Sequence, residues 1–369
     1  MLACIVVAAA AAGAGRAAPQ PKLIVGVDDD TARWLARPNG LVSAERSLGL
    51  TAVRMTVQWR RGQTIPSRHQ QIWLHRIALT VALGQRVVVG VFGRAAEAPI
   101  DARDQRDYCS FLAHVVRRIP IEDVVVWNEA NNPAFWPRGG AAAYEELLAR
   151  CWDALHTVRR TIDVIDSTAP HQDPAAFLLA VGRAFRASGR TRPIIDTYGH
   201  NVYPEHSSEP PWATHTNGSI DEGDYDRLVA VLTQAFGGTA QPLPGTGTTR
   251  IWYLEDGFQT SPPAEKRRLY SGSETDAAPV PALGGSSAES TTTVSQASQL
   301  TSAIELAYCQ PDVGAFFNFE LIDEHRLGGW QSGLLWTDGT AKPSADVVRQ
   351  TIAAADAGAV DCASVRSAS

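Results

Sequence analysis

A (β/α)8 barrel is the fold class the sequence predicts, and three observations carry that prediction. Short apolar runs rich in β-branched residues alternate with amphipathic helical patterns along most of the chain, the order of a parallel α/β architecture. Eight such strand–helix units fit the order, and a length of 369 residues accommodates one large barrel. The turn after the first apolar run reads Asp28-Asp29-Asp30-Thr31, with none of the glycines that a doubly wound nucleotide-binding sheet places there.

The first four strands are expected at 22–30, 49–59, 84–93 and 122–129, where near-continuous β-branched runs suit strands covered on both faces. Helical periodicity occupies Arg68 to Leu83, Arg103 to Arg118 and Tyr144 to Thr161, with a weaker helix over Thr31 to Leu48. Further strands are expected at Ile162 to Ser167, Pro193 to Tyr198, the run closing on Glu255, and Val313 to Leu321. Their helices follow at Pro174 to Ser188, Tyr225 to Phe236, Val294 to Cys309 and Ser344 to Ala355. The result is a single domain over 22–358 with long connections at 131–140, 204–223 and 261–293. The last is rich in Gly, Ser, Pro and Thr and reads as an insertion, either a lid or an irregular segment.

Composition is that of a globular chain, 44% hydrophobic and 20% charged, with a net charge of −6 and no Lys/Arg block. A nucleic-acid partner is therefore not expected. Residues 1–18 form an apolar run with small residues, and Ala12-Gly13-Ala14 fits a signal-peptide cleavage site. A charged segment before the run is missing, so a truncated membrane anchor competes with an export signal; the expectation is secretion, without stable membrane insertion.

Cys4 would leave with that segment, and Cys109, Cys151, Cys309 and Cys362 remain. An even count suits an oxidising compartment, and the spacing lacks the ligand pattern of a zinc site. Buried thiols compete with disulfides. Because consecutive helices are neighbours around a barrel, the expected pairs are Cys109 with Cys151 and Cys309 with Cys362.

Two segments, VVVWNEANN and IWYLEDGFQT, drive an apolar run into a glutamate, Glu129 and Glu255. Carboxylates are seldom placed there without a partner or a purpose. Each alone could be a salt-bridged strand end. As a pair they match what glycosidic hydrolysis requires, one carboxylic acid to protonate the leaving oxygen and one carboxylate at the anomeric carbon. Arg54 lies inside the strand VRMTV, where pairing with Glu255 would remove the cost of burying it; an outward orientation against a helix is the competing reading. The acidic run Asp28 to Asp30 lacks a complementary ligand set in the sequence, and Asp30-Thr31 reads as a helix N-cap, so no metal is expected.

The segments WNEANNPAFW, YGHNVYP, YLEDGFQTSPP and WQSGLLWTDGTAKPS resemble the clan A retaining glycoside hydrolases, the (β/α)8 group that includes families 5 and 39, over about residues 22 to 355. The resemblance implies Glu129 as acid/base on strand four and Glu255 as nucleophile on strand seven. It further implies Asn128 as the partner of a sugar 2-hydroxyl, although a turn-forming role explains it equally, and Arg54 as the strand-two arginine. Where the group often has His-x-Tyr after strand six, this chain has Asn201 and Tyr203, with His200 displaced by one. Trp59, Trp136, Trp212 and Trp330 lie past expected strand ends and suit the apolar faces of pyranose rings, or else pack in the core. The tryptophan usual on strand eight is replaced by Phe317-Asn318-Phe319-Glu320. The implied function is a secreted retaining glycosidase acting on a carbohydrate without a cofactor. A carbohydrate-binding barrel without turnover is the alternative.

Overall fold

The computed structural model describes residues 22–271 and 295–367. The expected leader over 1–18 and most of the 261–293 insertion lie outside the described residues. Eight parallel strands, β1 (Ile24–Asp28), β2 (Ala52–Gln58), β3 (Arg86–Phe92), β4 (Asp123–Val126), β5 (Asp163–Ile165), β6 (Tyr198–Asn201), β7 (Ile251–Asp256) and β8 (Val313–Phe319), form one sheet. Its order runs β5-β4-β3-β2-β1-β8-β7-β6. Isolated parallel bridges from Ile165 to Thr197 and from Thr168 to His200 join its ends, so the sheet closes into a (β/α)8 barrel.

The outer ring comprises α1 (Thr31–Trp34), α2 (Asn39–Ser47), α3 (Arg68–Ala82), α4 (Ala102–Arg118), α5 (Ala141–Val158), α6 (Pro174–Ser188), α7 (Tyr225–Phe236), the short α8 (Ala264–Arg267), α9 (Gln296–Cys309), α10 (Pro343–Asp356) and α11 (Cys362–Ser367). Local chemistry sets several of these ends. Ser67 and Gln70 make a reciprocal capping box at α3. Asp173 caps α6, whose first residue is Pro174 and whose end is the left-handed Gly189. Pro38 restrains the residue before it from helical geometry, which is why the single helix expected over 31–48 is two short ones.

Side-chain alternation divides each strand between two cores. Ala52, Val88, Val125, Ile165, Trp252, Leu254, Ala315 and Phe317 pack together inside the barrel, while Val53, Val89, Val124, Tyr253 and Phe316 join the larger core under the helices. Gly26 is required by this interior. A Cβ there would come within 2.6 Å of the Ala52 carbonyl oxygen and 2.7 Å of the Phe317 ring. Inward positions on β1 and β2 therefore rise through Gly26 and Ala52 to Asp28 and Arg54, one layer nearer the C-terminal mouth.

The sixth strand lies later than expected, at Tyr198–Asn201 rather than 193–198. Pro193 has no amide hydrogen, and the Ile194 and Ile195 N–H groups donate to Gln241 Oε1 at 2.9 and 3.3 Å instead of to a ladder. Their side chains are buried as the pattern suggested, but not in a strand. Among the described residues no helix is long and apolar enough to cross a membrane.

Both expected disulfides are present. Cys109 on α4 joins Cys151 on α5, and Cys309 at the end of α9 joins Cys362 at the start of α11. Each ties elements adjacent in the outer ring. Replacing Cys109 and Cys151 together by serine is expected to lower unfolding free energy by roughly 2 to 5 kcal/mol, the usual cost of losing a native cross-link. Denaturant titration of the oxidised protein and the double variant measures this, and an unchanged midpoint would mean the bond does not cross-link the folded protein.

Candidate active site

The inward side chains of the barrel mouth enclose a cavity of about 430 Å³, within the size range of small-molecule sites. Asp28, Arg54, Asn128, Glu129, Tyr203 and Glu255 line it, contributed by or just beyond β1, β2, β4, β6 and β7. Phe319, Glu320, Glu324 and Trp330 form the side toward β8.

Glu129 reaches the cavity because β4 stops three residues before it. The expected strand over 122–129 ends at Val126, and Trp127 and Glu129 both have positive φ, 67° and 41°. Such conformations are uncommon outside glycine and persist where the surroundings hold them. Here they are held. The Trp127 N–H donates to the Tyr108 hydroxyl at 2.9 Å, and the Glu129 N–H donates to Ser167 Oγ at 3.1 Å. The Tyr144 hydroxyl donates to the Val126 carbonyl at 3.0 Å and accepts the Ser167 N–H. These two helix tyrosines, missed in the sequence, clamp the turn that presents Glu129.

Glu255 arrives by a different device. On β7, Trp252 and Leu254 face the barrel interior and Tyr253 faces the helices, so strict alternation would turn Glu255 outward. The register of β7 shifts against both neighbours. His200 is opposite Tyr253 but Asn201 is opposite Glu255, and on the other side Tyr253 opposite Phe316 gives way to Asp256 opposite Asn318. This bulge re-aims Glu255 into the cavity and sends Asp256 behind it.

Arg54 joins the site together. Its Nη1 is hydrogen bonded to both Asp28 and Glu255, and its Nη2 donates to Asn128 Oδ1 at 2.8 Å. The expected pairing with Glu255 is thus present, and the outward orientation is excluded. Asp28, which the sequence did not single out as a partner, completes a chain from β1 through β2 to β7. Burial pushes the Asp28 carboxyl well up, with the Arg54 charge opposing and the Glu255 charge adding. The Tyr203 hydroxyl donates to the other Glu255 oxygen at 3.0 Å, and burial and Glu255 keep that phenol protonated.

Glu129 has no cation in contact. Asn132 Nδ2 donates to one oxygen at 2.6 Å and Asn201 Nδ2 to the other at 2.8 Å. Burial, then the Glu255 charge, pushes its pKa up to about 7 against those hydrogen bonds. The two carboxyls therefore have unlike surroundings, one beside a guanidinium and one between amides. Across the cavity, burial and neighbouring acids push Glu320 up to about 11, so a neutral carboxyl able both to donate and to accept lies near the β8 wall.

Other sequence candidates separate. His200 is in β6 with its side chain turned outward, donating from Nε2 to the Ile220 carbonyl and accepting at Nδ1 from the Thr168 hydroxyl, both at 2.7 Å. Burial holds it down at about 4, neutral. Asn201, the next residue, takes the inward position. Trp59 and Trp136 are buried in a run of edge-to-face rings with Tyr108, Trp127 and Tyr144, centroids 5.3 to 6.2 Å apart, and do not line the cavity. They back the Glu129 turn instead. Trp212 is half-buried on the β6–α7 connection, also away from the cavity. Trp330 does line it, 5.0 Å from Phe319 and 5.1 Å from Tyr203 between ring centroids. Asp30 does not cap α1: its carboxylate pairs with Arg33 and accepts the Thr56 N–H.

No protein-family model matches the sequence, and no curated protein matches it. Solved structures do match the fold. A family 39 glycoside hydrolase from the gut symbiont Bacteroides cellulosilyticus WH2 superposes with a TM-score of 0.59 at 15% identity, covering 90% of this chain and 64% of that one. The chain thus spans less than two thirds of that protein. The GH53 catalytic domain of Ignisphaera aggregans gives 0.60 at 17% identity over 89% of this chain and 96% of that chain. Fungal β-1,4-galactanases give 0.61 at 12% identity over 89% and 99%. At these identities the likeness establishes the shared (β/α)8 fold.

The raised pKa of Glu129 has a consequence for stability. The folded carboxyl keeps its proton to about pH 7, while an unfolded one loses it near the ordinary value of 4.5. Between those values the folded state binds more protons, so this group's contribution to stability is full below about 4.5 and is lost as pH rises toward 7. Glu129→Gln should remove that loss, leaving the variant more stable than wild type by on the order of 2 to 3 kcal/mol above pH 7 and about equal to it near pH 4. Denaturant midpoints across pH measure the difference, and parallel curves would show that Glu129 ionises freely.

Proposed function

We propose that the chain is a retaining glycosidase acting on a poly- or oligosaccharide by double displacement, with Glu255 as nucleophile and Glu129 as acid/base. The observation that carries this reading is the unlike setting of the two carboxyls in one cavity, Glu255 paired to Arg54 and Glu129 raised between Asn132 and Asn201. A binding barrel without turnover has no need of that difference. The paired disulfides and the expected leader fit an exported enzyme.

In the first step a Glu255 oxygen forms a bond to the anomeric carbon while the bond to the leaving oxygen breaks and Glu129 gives that oxygen its proton. Glu129, now ionised, takes a proton from water; the water oxygen bonds to the anomeric carbon and the ester to Glu255 breaks. Tyr203 and Arg54 hold the attacking carboxylate and receive it back as a leaving group. Asn128 gives its carbonyl oxygen to Arg54, which leaves its NH2 group to donate toward a 2-hydroxyl. Asn132 and Asn201 each donate an amide N–H to Glu129, which offsets the charge on the carboxylate left by the first half-cycle until water returns the proton. Trp330, with Phe319 and Tyr203, supplies the apolar wall for a ring face.

Aryl glycosides with good leaving groups test the assignment. Glu255→Ala should abolish turnover, whereas Glu129→Ala should spare activated aryl substrates far more than natural ones, because only the latter need the acid. The first product seen by proton NMR should keep the anomeric configuration, as in retaining sites generally, where the two carboxyls stand about 5 to 5.5 Å apart; an inverted first product would reject Glu255 as nucleophile. Arg54→Leu is expected to slow glycosylation by about 10²-fold or more, as when a charge-stabilising group is removed. Near-normal turnover in that variant would reduce Arg54 to a structural part.

A further inference from the structure

Behind the cavity, the connection from β6 to α7 gathers a second cluster of ionisable side chains. Glu209, His215 and Asp221 each offer an atom, and the three atoms lie within 4.8 Å of one another. His215 Nε2 is 3.2 Å from Glu209 Oε1 and 3.5 Å from Asp221 Oδ2. Its Nδ1 is 2.8 Å from Asp224 Oδ2, and Asp224 also accepts the His215 and Asp221 backbone N–H groups. A histidine that binds metal through one ring nitrogen ordinarily gives the other N–H to a carboxylate, which fixes its tautomer and orientation. Asp224 stands in that position.

A separate observation points to a missing partner. Glu222 is 1% exposed, and neither of its carboxylate oxygens has a hydrogen-bond partner. Both Asp221 oxygens likewise lack a hydrogen bond, although His171 Nε2 approaches one to 3.1 Å. Glu209, His215, Asp221, Glu222 and Asp256 line one small cavity of about 10 Å³, room for a single small species. The carboxyls of Glu209, Asp221, Glu222, Asp224 and Asp256 outnumber the imidazoles of His171 and His215, and Arg227 Nη1 is given to the carbonyls of His215 and Ser219. Backbone N–H groups serve Asp224, Glu209 and Asp256, which leaves the buried oxygens of Asp221 and Glu222 without hydrogen bonds, a costly arrangement without a cation.

We propose that this pocket binds one divalent transition-metal ion, zinc being the expected occupant, through His215 Nε2, Glu209 and Asp221. An imidazole ligand with two carboxylates favours zinc over calcium or magnesium, which prefer oxygen alone. The ion pins three points of the connection whose first residues reach the active site, where Val202 N–H bonds the Glu255 carbonyl and Tyr203 bonds its side chain. Through Asp221 it also fixes His171, which lines the main cavity.

The test uses the whole protein, stripped with a chelator and titrated calorimetrically with zinc, calcium and magnesium salts. One zinc per chain is expected, with a dissociation constant of about 1 μM or tighter and a thermal midpoint raised by several degrees, and no comparable effect of calcium or magnesium. His215→Gln and Asp221→Asn should weaken zinc at least about 10²-fold, and Asp224→Asn about 10- to 100-fold; His69→Ala, distant in the sequence on α3, should leave it unchanged. Cobalt added to the stripped wild type gives a readout that needs no variant to fold, a visible spectrum distinct from that of the aqueous ion. Absence of zinc binding at about 100 μM, binding that His215→Gln and Asp221→Asn leave intact, a preference for calcium, or an aqueous cobalt spectrum would each overturn the proposal.

Discussion

The buried guanidinium of Arg54 is the interaction on which the site depends. It is 1% exposed and touches side chains that originate on or beside three other strands, Asp28 on β1, Asn128 after β4 and Glu255 on β7. A full positive charge is tolerated there only because two carboxylates and an amide oxygen surround it, and removing both carboxylates would leave the charge uncompensated. Its height in the barrel is a matter of simple alternation, two residues above Ala52 on the inward face of β2. A single arginine thereby fixes the relative positions of groups far apart in the chain.

Two departures from regular backbone then aim the carboxyls at the same space. Alternation alone would leave Glu255 under the helices, and the bulge in β7 turns it into the mouth. Continued strand geometry would carry Glu129 past its position, and the positive-φ residues Trp127 and Glu129 bend the chain instead. The surroundings that hold this turn are aromatic and hydroxylic. Tyr108 and Tyr144 hydroxyls occupy its backbone groups, while Trp59, Trp127 and Trp136 pack edge to face behind it. Part of the chain's tryptophan content thus positions Glu129 indirectly, through the shape of the loop that carries it.

The bulge has a second effect at Asp256. Sent behind the sheet, its carboxyl meets the β6–α7 connection and adds to the buried acids around His215. The main cavity and the acidic pocket therefore share one irregularity in β7 and are linked through His171, which lines the first and pairs with Asp221 in the second. Positioning at the front of the site and charge at its back are coupled by covalent geometry over two adjacent residues.

The amino-acid sequence by itself determined the barrel and its helices nearly to the residue at Pro174–Ser188 and Tyr225–Phe236, and it pointed to the disulfide partners and to the pairing of Arg54 with Glu255, each against a competing reading that the structure removes. These follow from periodicity, helix adjacency and the cost of an unpaired buried charge, all local or topological quantities. Tertiary structure alone decided that Asn201 rather than His200 meets Glu129, because that depends on where β6 begins, and Gln241 sets that by capturing the Ile194 and Ile195 amides. It also decided that Trp59 and Trp136 pack while Trp330 faces the cavity, since an aromatic residue past a strand end reads the same in either place. The cluster of Glu209, His215 and Asp221 was hidden for a related reason: its spacing follows a loop's path, and an irregular backbone has no period from which ligand geometry can be read.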